Sequence, residues 1–198
     1  GVYVGGAALA LLLVQVLFMR KTVSLASAVI TVIFAAVAIA MPLNMMNTAK
    51  SVPPIHDIST DLINPPEFVA VVPLRADAPN PVAYAGEETA AQQRKAYPEL
   101  KPLEYNQTQL ELVAATTKAM ENLGWELVNS DVNNGIVEAT DTTTWFGFKD
   151  DVVVRINDKG SKRVVDIRSK SRIGKSDLGK NAQRIKALID ELNAVVVQ

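Results

Sequence analysis

The stretch GIVEATDTTTWFGFKDDVVVRINDKGSKRVVDIRS, residues 135–169, decides the fold of the C-terminal half of this chain. It contains three segments rich in β-branched residues, 135–145, 151–157 and 163–169, which are separated by FGFKD and by a DKG turn signal. Such segments joined by short turns are typical of neighbouring antiparallel strands. A fourth segment, 125–130, precedes them across an Asn-Asn-Gly turn signal. The sequence therefore predicts a four-stranded antiparallel meander.

Helix signals flank these strands on both sides. Thr108 and Glu111 match a capping box, and the apolar periodicity that follows predicts a helix over residues 108–123. Ser176 or Asp177 is expected to cap a final helix. Its apolar stripe consists of Leu178, Ala182, Ile185, Ile189, Leu192 and Val196. The order helix, four strands, helix predicts an α+β domain of two layers over residues 103–198, with both helices packed on the sheet.

Residues 47–102 differ in composition from this domain. They contain the proline pairs Pro53-Pro54 and Pro65-Pro66 and little periodicity apart from FVAVVPL at 68–74. We predict an extended, mostly irregular arm with one strand at 68–74. Because the arm is too long for a simple linker, we expect it to wrap on the domain or on a partner.

The first 46 residues are predicted to form two transmembrane helices. Residues 2–19 and 23–41 are uncharged apolar runs, each close to the roughly 20 residues that span a bilayer. Only Arg20, Lys21 and Thr22 separate them, which predicts a tight helical hairpin. A signal peptide is the alternative, but its apolar core is single and shorter, and no A-x-A pattern ends the second run.

The charges at the hairpin tip predict the topology. Arg20 and Lys21 place the tip on the cytoplasmic side of a bacterial inner membrane. The domain after the second run is therefore expected in the periplasm. By the same rule Gly1 starts outside, and we expect a further span upstream. Small residues favour close packing of the helices with one another or with other membrane subunits. They are Gly1 and Gly5 on the first run and Ser27, Thr31 and Ala35 on the second.

Composition limits the function classes. The chain has no cysteine, which excludes disulfides, thiol nucleophiles and thiolate metal sites. All 21 acidic residues follow Lys50, so the C-terminal part lacks the cationic excess by which proteins hold nucleic acid. We expect no nucleic-acid partner, no metal and no cofactor.

Three stretches resemble a known family. They are PPIHDISTD at 53–61, TTTWFGFKDDVVVR at 142–155 and DIRSKSRIGKSDLGKNAQRI at 166–185. Together, in this order, they are similar to domain of unknown function 1499, a family of bacterial membrane-anchored proteins. The resemblance implies a membrane anchor ahead of the domain, and it implies no reaction, substrate or catalytic residue.

Charged side chains gather around the turn before the final helix. This predicted cluster consists of Asp150, Asp151, Arg168, Arg172, Ser176, Asp177 and Asn181. One hypothesis is an anion site in which Arg168, Arg172 and Lys175 act with the free amides of a helix start. The other, which we favour at Arg172, is that the arginines pair with Asp150, Asp151 or Asp166 for structural reasons.

Two further groups are candidate sites. Trp145, Phe146 and Phe148 place three aromatic rings within four residues, and strand alternation sends neighbouring rings to opposite faces. At least one ring is therefore expected at the domain edge, as a contact for a partner or ligand. In the arm, His56, Asp57 and Asp61 are predicted to dock it by hydrogen bonds rather than to bind metal.

The leading functional hypothesis is a non-catalytic, membrane-anchored periplasmic binding or accessory module, for example a subunit of a larger inner-membrane complex. The alternative is a binder of a small anion or amphiphile between helix and sheet. The third is a hydrolase that uses Asp150 or Asp151 with Ser169, Ser171 or Ser176. No histidine partner or nucleophile elbow accompanies these residues, so the sequence favours a protein without enzymatic activity.

The topology generates the first testable prediction. A reporter that is active only outside the cytoplasm, fused after Gln198, should be active because the basic tip holds the hairpin loop inside. Moving Arg20 and Lys21 to the position after Met41 is the control and should lower that activity. An inactive reporter on an inserted, full-length fusion contradicts the topology.

Overall fold

The computed structural model describes residues 1–18, 24–144 and 146–197, and the chain forms two compact units, Gly1–Val52 and Pro53–Gln198. The first unit contains α1 (Val2–Phe18) and α2 (Leu25–Ser51). The second contains β1 (Asp57–Ser59), α3 (Glu87–Ala96), β2 (Leu103–Tyr105), α4 (Gln109–Asn122), β3 (Glu126–Asp131), β4 (Ile136–Thr142), β5 (Lys149–Asp158), β6 (Arg163–Ser171) and α5 (Lys180–Val197).

The first unit is a pair of apolar helices in contact. An atom added as Cβ at Gly5 would lie 2.9 Å from the carbonyl oxygen of Ala35 and 2.7 Å from Cγ1 of Ile39, so glycine permits this close approach. α2 is long and apolar enough to cross a membrane, and α1 is a shorter apolar helix of 17 residues. A long apolar N-terminal helix is compatible with a membrane anchor or a signal sequence. The predicted hairpin tip, Arg20 and Lys21, lies outside the described residues.

The second helix is longer than the sequence predicted. It begins after Ser24, whose side chain accepts a hydrogen bond from the Ser27 amide at 3.1 Å, and continues through Pro42 to Ser51 instead of ending at Met41. Proline removes one backbone donor but does not stop the helix here, because the residues after it are mostly good helix formers.

The sheet of the second unit has six strands rather than the predicted four. The four predicted strands form the antiparallel meander β3-β4-β5-β6, as expected. β1 and β2 are the additional strands, and both pair with the outer edge of β6. Each has three residues, too short for a period-two pattern, and they form because the edge of β6 needs hydrogen-bond partners.

Two predictions about the arm were wrong. Residues 68–74 are not a strand but a turn that leads into a 3-10 helix at Pro73–Arg75. Their amides cannot join a sheet because the Glu138 carboxylate accepts hydrogen bonds from Val69 at 2.8 Å and Ala70 at 2.7 Å. In addition α3 forms within the segment we expected to be irregular, where glutamate, alanine, glutamine and lysine favour a helix.

The two predicted helices cover one face of the sheet. The capping box at the start of α4 is confirmed, with Thr108 and Glu111 exchanging both hydrogen bonds. α5 begins at Lys180 rather than Leu178, because Leu178 has φ +55° and the Asp177 carboxylate accepts the Asn181 amide at 2.7 Å. The space between helices and sheet is filled by a single apolar core. Its fully buried members include Leu112, Met120, Val152, Val154, Ile167, Ile185, Leu188 and Leu192.

This packing makes Ile185 a test of the fold. Ile185→Asp places a carboxylate in the core beside apolar side chains, and we expect a loss of more than about 4 kcal/mol in the free energy of unfolding. Circular dichroism melts of the full chain measure this. Val197→Asp, on the same helix but 87% exposed, is the matched control and should change stability by less than about 0.5 kcal/mol. Equal melting temperatures for the two variants would contradict the placement.

Candidate functional site

The face of the sheet opposite the helices carries charged side chains, which the arm covers. We call these side chains, together with Arg75 of the arm, the charged layer. Its members, each at most 5% exposed, are Asp57, Arg75, Glu138, Asp151, Asp166, Arg168 and Lys170. Strand alternation explains why the charges share this face. Cross-strand neighbours such as Asp151 and Lys170 point to the arm, while the alternate residues Val152 and Val154 point to the helices.

Asp57 lies at the centre of one half of the charged layer. Arg168 donates to it through Nε and Nη2, both at 2.9 Å, and Lys170 donates from Nζ at 2.9 Å. The remaining donors of both cations reach backbone carbonyls of the arm at Pro66, Val82 and Ala83. Burial lowers the pKa of Lys170, and Asp57 opposes that change only in part.

Aromatic rings enclose the Arg168 guanidinium. Its Cζ lies 4.9 Å from the ring centroid of Phe68 and 5.4 Å from that of Tyr84, within the range of cation–π attraction. A cavity of about 330 Å³ opens beside these three residues. Burial raises the pKa of Tyr84 to about 12, and the charge of Asp57 adds to this. Because hydrogen bonds to the protein use four of the five N–H donors of Arg168, the cavity offers an aromatic wall rather than an anion site.

Asp151 lies at the centre of the other half. It accepts hydrogen bonds from Arg75 at 2.5 Å, from Thr140 at 2.7 Å and, through both oxygens, from Arg172 at 2.8 and 2.9 Å. Burial alone would raise the pKa of Asp151, but the hydrogen bonds from Arg172, Thr140 and Arg75 outweigh it and lower the pKa. Arg172 therefore has the structural pairing that the sequence suggested as one of two hypotheses.

Two other carboxylates of this face also bind the arm. Glu138 holds the turn at residues 69–71, as described above, and accepts a further hydrogen bond from Asn129 at 3.3 Å. Asp166 shares the Arg155 guanidinium with Asp61 of the arm, at 2.8 and 3.1 Å. Burial raises the pKa of Asp166, and the Arg155 hydrogen bond only partly reverses this.

A second polar cluster lies on the helix side, at the start of α5. Arg184 donates to Asp150 at 2.8 Å and to Asp141 at 2.7 Å. The Asn181 side chain accepts from Ser169 at 2.6 Å and donates to Ser171 at 2.9 Å. These hydrogen bonds connect α5 to the ends of β5 and β6.

The residues of the predicted cluster thus separate into three places. Arg172 and Asp151 meet, Arg168 lies with Asp57, and Asp150 and Asn181 lie with Arg184. Ser176 and Asp177 form local turns, accepting the amides of Leu178 and Gly179 respectively. None of the three serines considered for a hydrolase hydrogen-bonds Asp150 or Asp151 in the described part of the chain.

The three arm residues also separate. Asp57 is buried in its ion pairs, and Asp61 accepts the amides of Ile63 and Asn64. His56 lies 3.4 Å through Nδ1 from the carbonyl oxygen of Lys175. Across residues 1–18, 24–144 and 146–197, no group of three or more acidic or histidine side chains is placed to hold a metal ion.

The aromatic turn between β4 and β5 is exposed. Phe146 is 73% and Phe148 49% exposed, and their rings stack with centroids 5.5 Å apart. Trp145 lies outside the described residues. Beside Phe148, a concavity of about 280 Å³ is lined by the exposed side chains of Leu74 and Ile173 and by polar groups. We call Phe146, Phe148, Leu74 and Ile173 the aromatic-turn surface.

Sequence reasoning missed several members of the charged layer, namely Arg75, Glu138, Lys170 and, in the second cluster, Arg184. A signal was present for Lys170, because Asp166, Arg168, Lys170 and Arg172 place a charge at every second position of β6. That period predicts one polar strand face, and such a face is normally solvated. Its burial depends on the arm, which the strand pattern does not encode.

Comparison with known proteins gives one match. Residues 57–192 match a family described as protein of unknown function (DUF1499), so the match begins at β1 and ends in α5. The matched range includes every member of the charged layer. No curated protein matches the chain.

The Asp151 pairing generates a stability prediction. Arg172→Ala leaves the buried carboxylate with Arg75 and Thr140 only, and should cost about 1–3 kcal/mol at pH 7. Arg172 helps to lower the pKa of Asp151 in the folded state. Its contribution to the free energy of unfolding is therefore fully present above the pKa that the carboxyl has in the unfolded state. That contribution is lost as the pH falls through the lower pKa of the folded state. The difference from wild type should therefore shrink below about pH 4.

Urea unfolding at pH 7 and at pH 3.5 measures both effects. Lys162→Ala, which removes an exposed ion pair with Glu104, is the control and should cost less than about 1 kcal/mol. An Arg172→Ala protein as stable as wild type at pH 7 would show that the pair has no structural role.

Proposed function

This chain belongs to the DUF1499 family of unknown function, and on that premise we propose that it is a membrane-anchored, non-catalytic module that docks onto a partner protein through the aromatic-turn surface. The observation that carries the proposal is the pair of stacked, exposed phenylalanines beside a concavity. Soluble surfaces seldom keep several large apolar side chains together unless something binds them.

The N-terminal unit supplies the anchor in this proposal. α1 and α2 form a transmembrane hairpin whose basic tip lies in the cytoplasm of a bacterial inner membrane, and the second unit lies in the periplasm. The length and apolar composition of α2 and its contact with α1 at Gly5 support this arrangement. Small-residue helix faces of this kind also favour association with other membrane subunits or self-association.

A protein partner fits the aromatic-turn surface better than a bilayer. The lining of the concavity combines apolar side chains with an acid, Asp77, and the bases Lys149 and Arg172. Protein interfaces typically have such an apolar centre with a polar rim of both signs. A bilayer surface needs neither a concavity nor an acidic group.

The pairing of the buried acids supports a non-catalytic role. A general base must reach the proton that it removes, yet Asp150 and Asp151 each bind arginine and are at most 5% exposed. Ser169 and Ser171 bind Asn181 instead of a base. A substrate would have to break several charge-assisted hydrogen bonds before either carboxylate could act.

Photo-crosslinking tests the docking surface. With p-benzoylphenylalanine at Phe146 in the full chain, irradiation of cells should give one discrete protein adduct. The Phe148→Ser change on the same chain should reduce this adduct about tenfold, because stacked aromatic anchors dominate such contacts.

The same photoreactive residue at Leu110, an exposed apolar position on α4, is the matched control and should give no discrete adduct. Thermal melts establish that Phe148→Ser remains folded. If position 146 gives lipid adducts and no protein adduct, the surface contacts the bilayer and the proposed protein partner is wrong. Equal adducts at positions 146 and 110 would also overturn the proposal.

A further inference from the structure

A groove lined by residues of the arm lies in the second unit, separate from the aromatic-turn surface. It has a volume of about 530 Å³, which lies in the range of small-molecule sites. Its lining is mainly apolar, and the apolar members are Leu62, Ile63, Tyr97, Pro98, Leu100 and Pro102. We call it the arm groove.

The floor of the arm groove is a fixed part of the fold. Leu100 is buried and belongs to the apolar core under α5, and Tyr97 packs against the same core. The amide of Leu100 donates to the carbonyl of Tyr97 at 3.2 Å, which closes the turn after α3. Burial raises the pKa of the Tyr97 hydroxyl. The groove is therefore preformed and keeps its shape without a ligand.

The lip of the groove presents an isoleucine to solvent. Ile63 is 99% exposed, although its backbone is held firmly. The Asp61 carboxylate accepts the amides of Ile63 at 3.0 Å and Asn64 at 2.9 Å, and Arg155 holds both Asp61 and the Asn64 carbonyl. A rigid turn thus keeps the large apolar side chain of Ile63 in water beside an apolar groove. An apolar ligand that covers this side chain would remove it from water, which favours binding.

The charges at the rim favour an anion. Lys101 lines the groove and has no carboxylate within ion-pair distance in the described part of the chain. Arg94 also lines it, and its ion pair with Glu87 is largely exposed and so contributes little stability. The acid of the lining, Asp61, pairs with Arg155, which it shares with Asp166, so its negative charge is offset in part. An apolar groove whose lining also contains two cations matches a ligand with an apolar chain and a negative headgroup.

We propose that the arm groove binds a single-chain amphiphile with an anionic headgroup, a carboxylate or a phosphate. The acyl chain lies along Tyr97 and Leu100 under Ile63, and the headgroup contacts Lys101 and Arg94. This inference does not depend on docking at the aromatic turn, because the two surfaces share no lining residue.

The experiment uses the full chain in nanodiscs of zwitterionic lipid and a palmitate that carries a diazirine in its chain. After irradiation, mass spectrometry should locate adducts within residues 60–63 and 97–102. The hexadecanol analogue with the same diazirine should label these peptides about fivefold less, since it lacks the charge that Lys101 binds. A parallel experiment with a lysophosphatidylglycerol that carries the same diazirine distinguishes a membrane lipid from a free fatty acid as the source of the ligand.

Lys101→Glu should lower palmitate labelling at the groove about fivefold, and Ile63→Ser should lower labelling by palmitate and hexadecanol alike. Both positions are exposed, so both variants should melt as wild type does. Lys118→Glu on α4 is the matched charge reversal and should leave labelling unchanged. Adducts only outside the groove, or labelling equal for acid and alcohol and indifferent to Lys101→Glu, would overturn the proposal.

Discussion

The structure of the second unit depends on ion pairs that are buried on one face of its sheet. Removing charges such as those of Asp57 and Arg168 from water costs several kcal/mol per ion, and the pair alone does not recover this unless the remaining donors and acceptors are satisfied. The arm satisfies them, since carbonyls of Pro66, Val82 and Ala83 accept the hydrogen bonds that Asp57 does not. The arm is therefore part of the fold. Its backbone is irregular because its carbonyl groups must lie within hydrogen-bond distance of the buried cations.

The same constraint separates stability from function. Carboxylates and cations that look like a reactive cluster in sequence are used inside the domain, where Asp151 alone binds two arginines. The features that remain for a partner or a ligand are apolar and lie at the surface: the stacked rings of Phe146 and Phe148, and the groove beside Ile63. Together with the apolar N-terminal helix, they are the features on which the proposed docking and binding roles rest.

Local signals predicted the local structure well. The capping box at Thr108, the four strands of the meander and the stripe through Ile185 each depend on residues within one or two turns or on strand alternation, and each is found in the structure. The two added strands, the helix α3 and the turn at residues 69–71 were missed. The two strands and the turn form because β6 and Glu138 need partners that lie distant in sequence. α3 was missed although its own composition favours a helix.

The sequence by itself determined the apolar N-terminal helices, the α+β class, the family and the exposed aromatic turn, because these follow from composition, periodicity and motif. The tertiary structure decided which charges meet. Arg172 had three possible carboxylates in sequence, and strand register together with the path of the arm selected Asp151. Register and arm position are set by the summed burial of many side chains and by hydrogen-bond satisfaction across the whole unit, so no local window of sequence contains them.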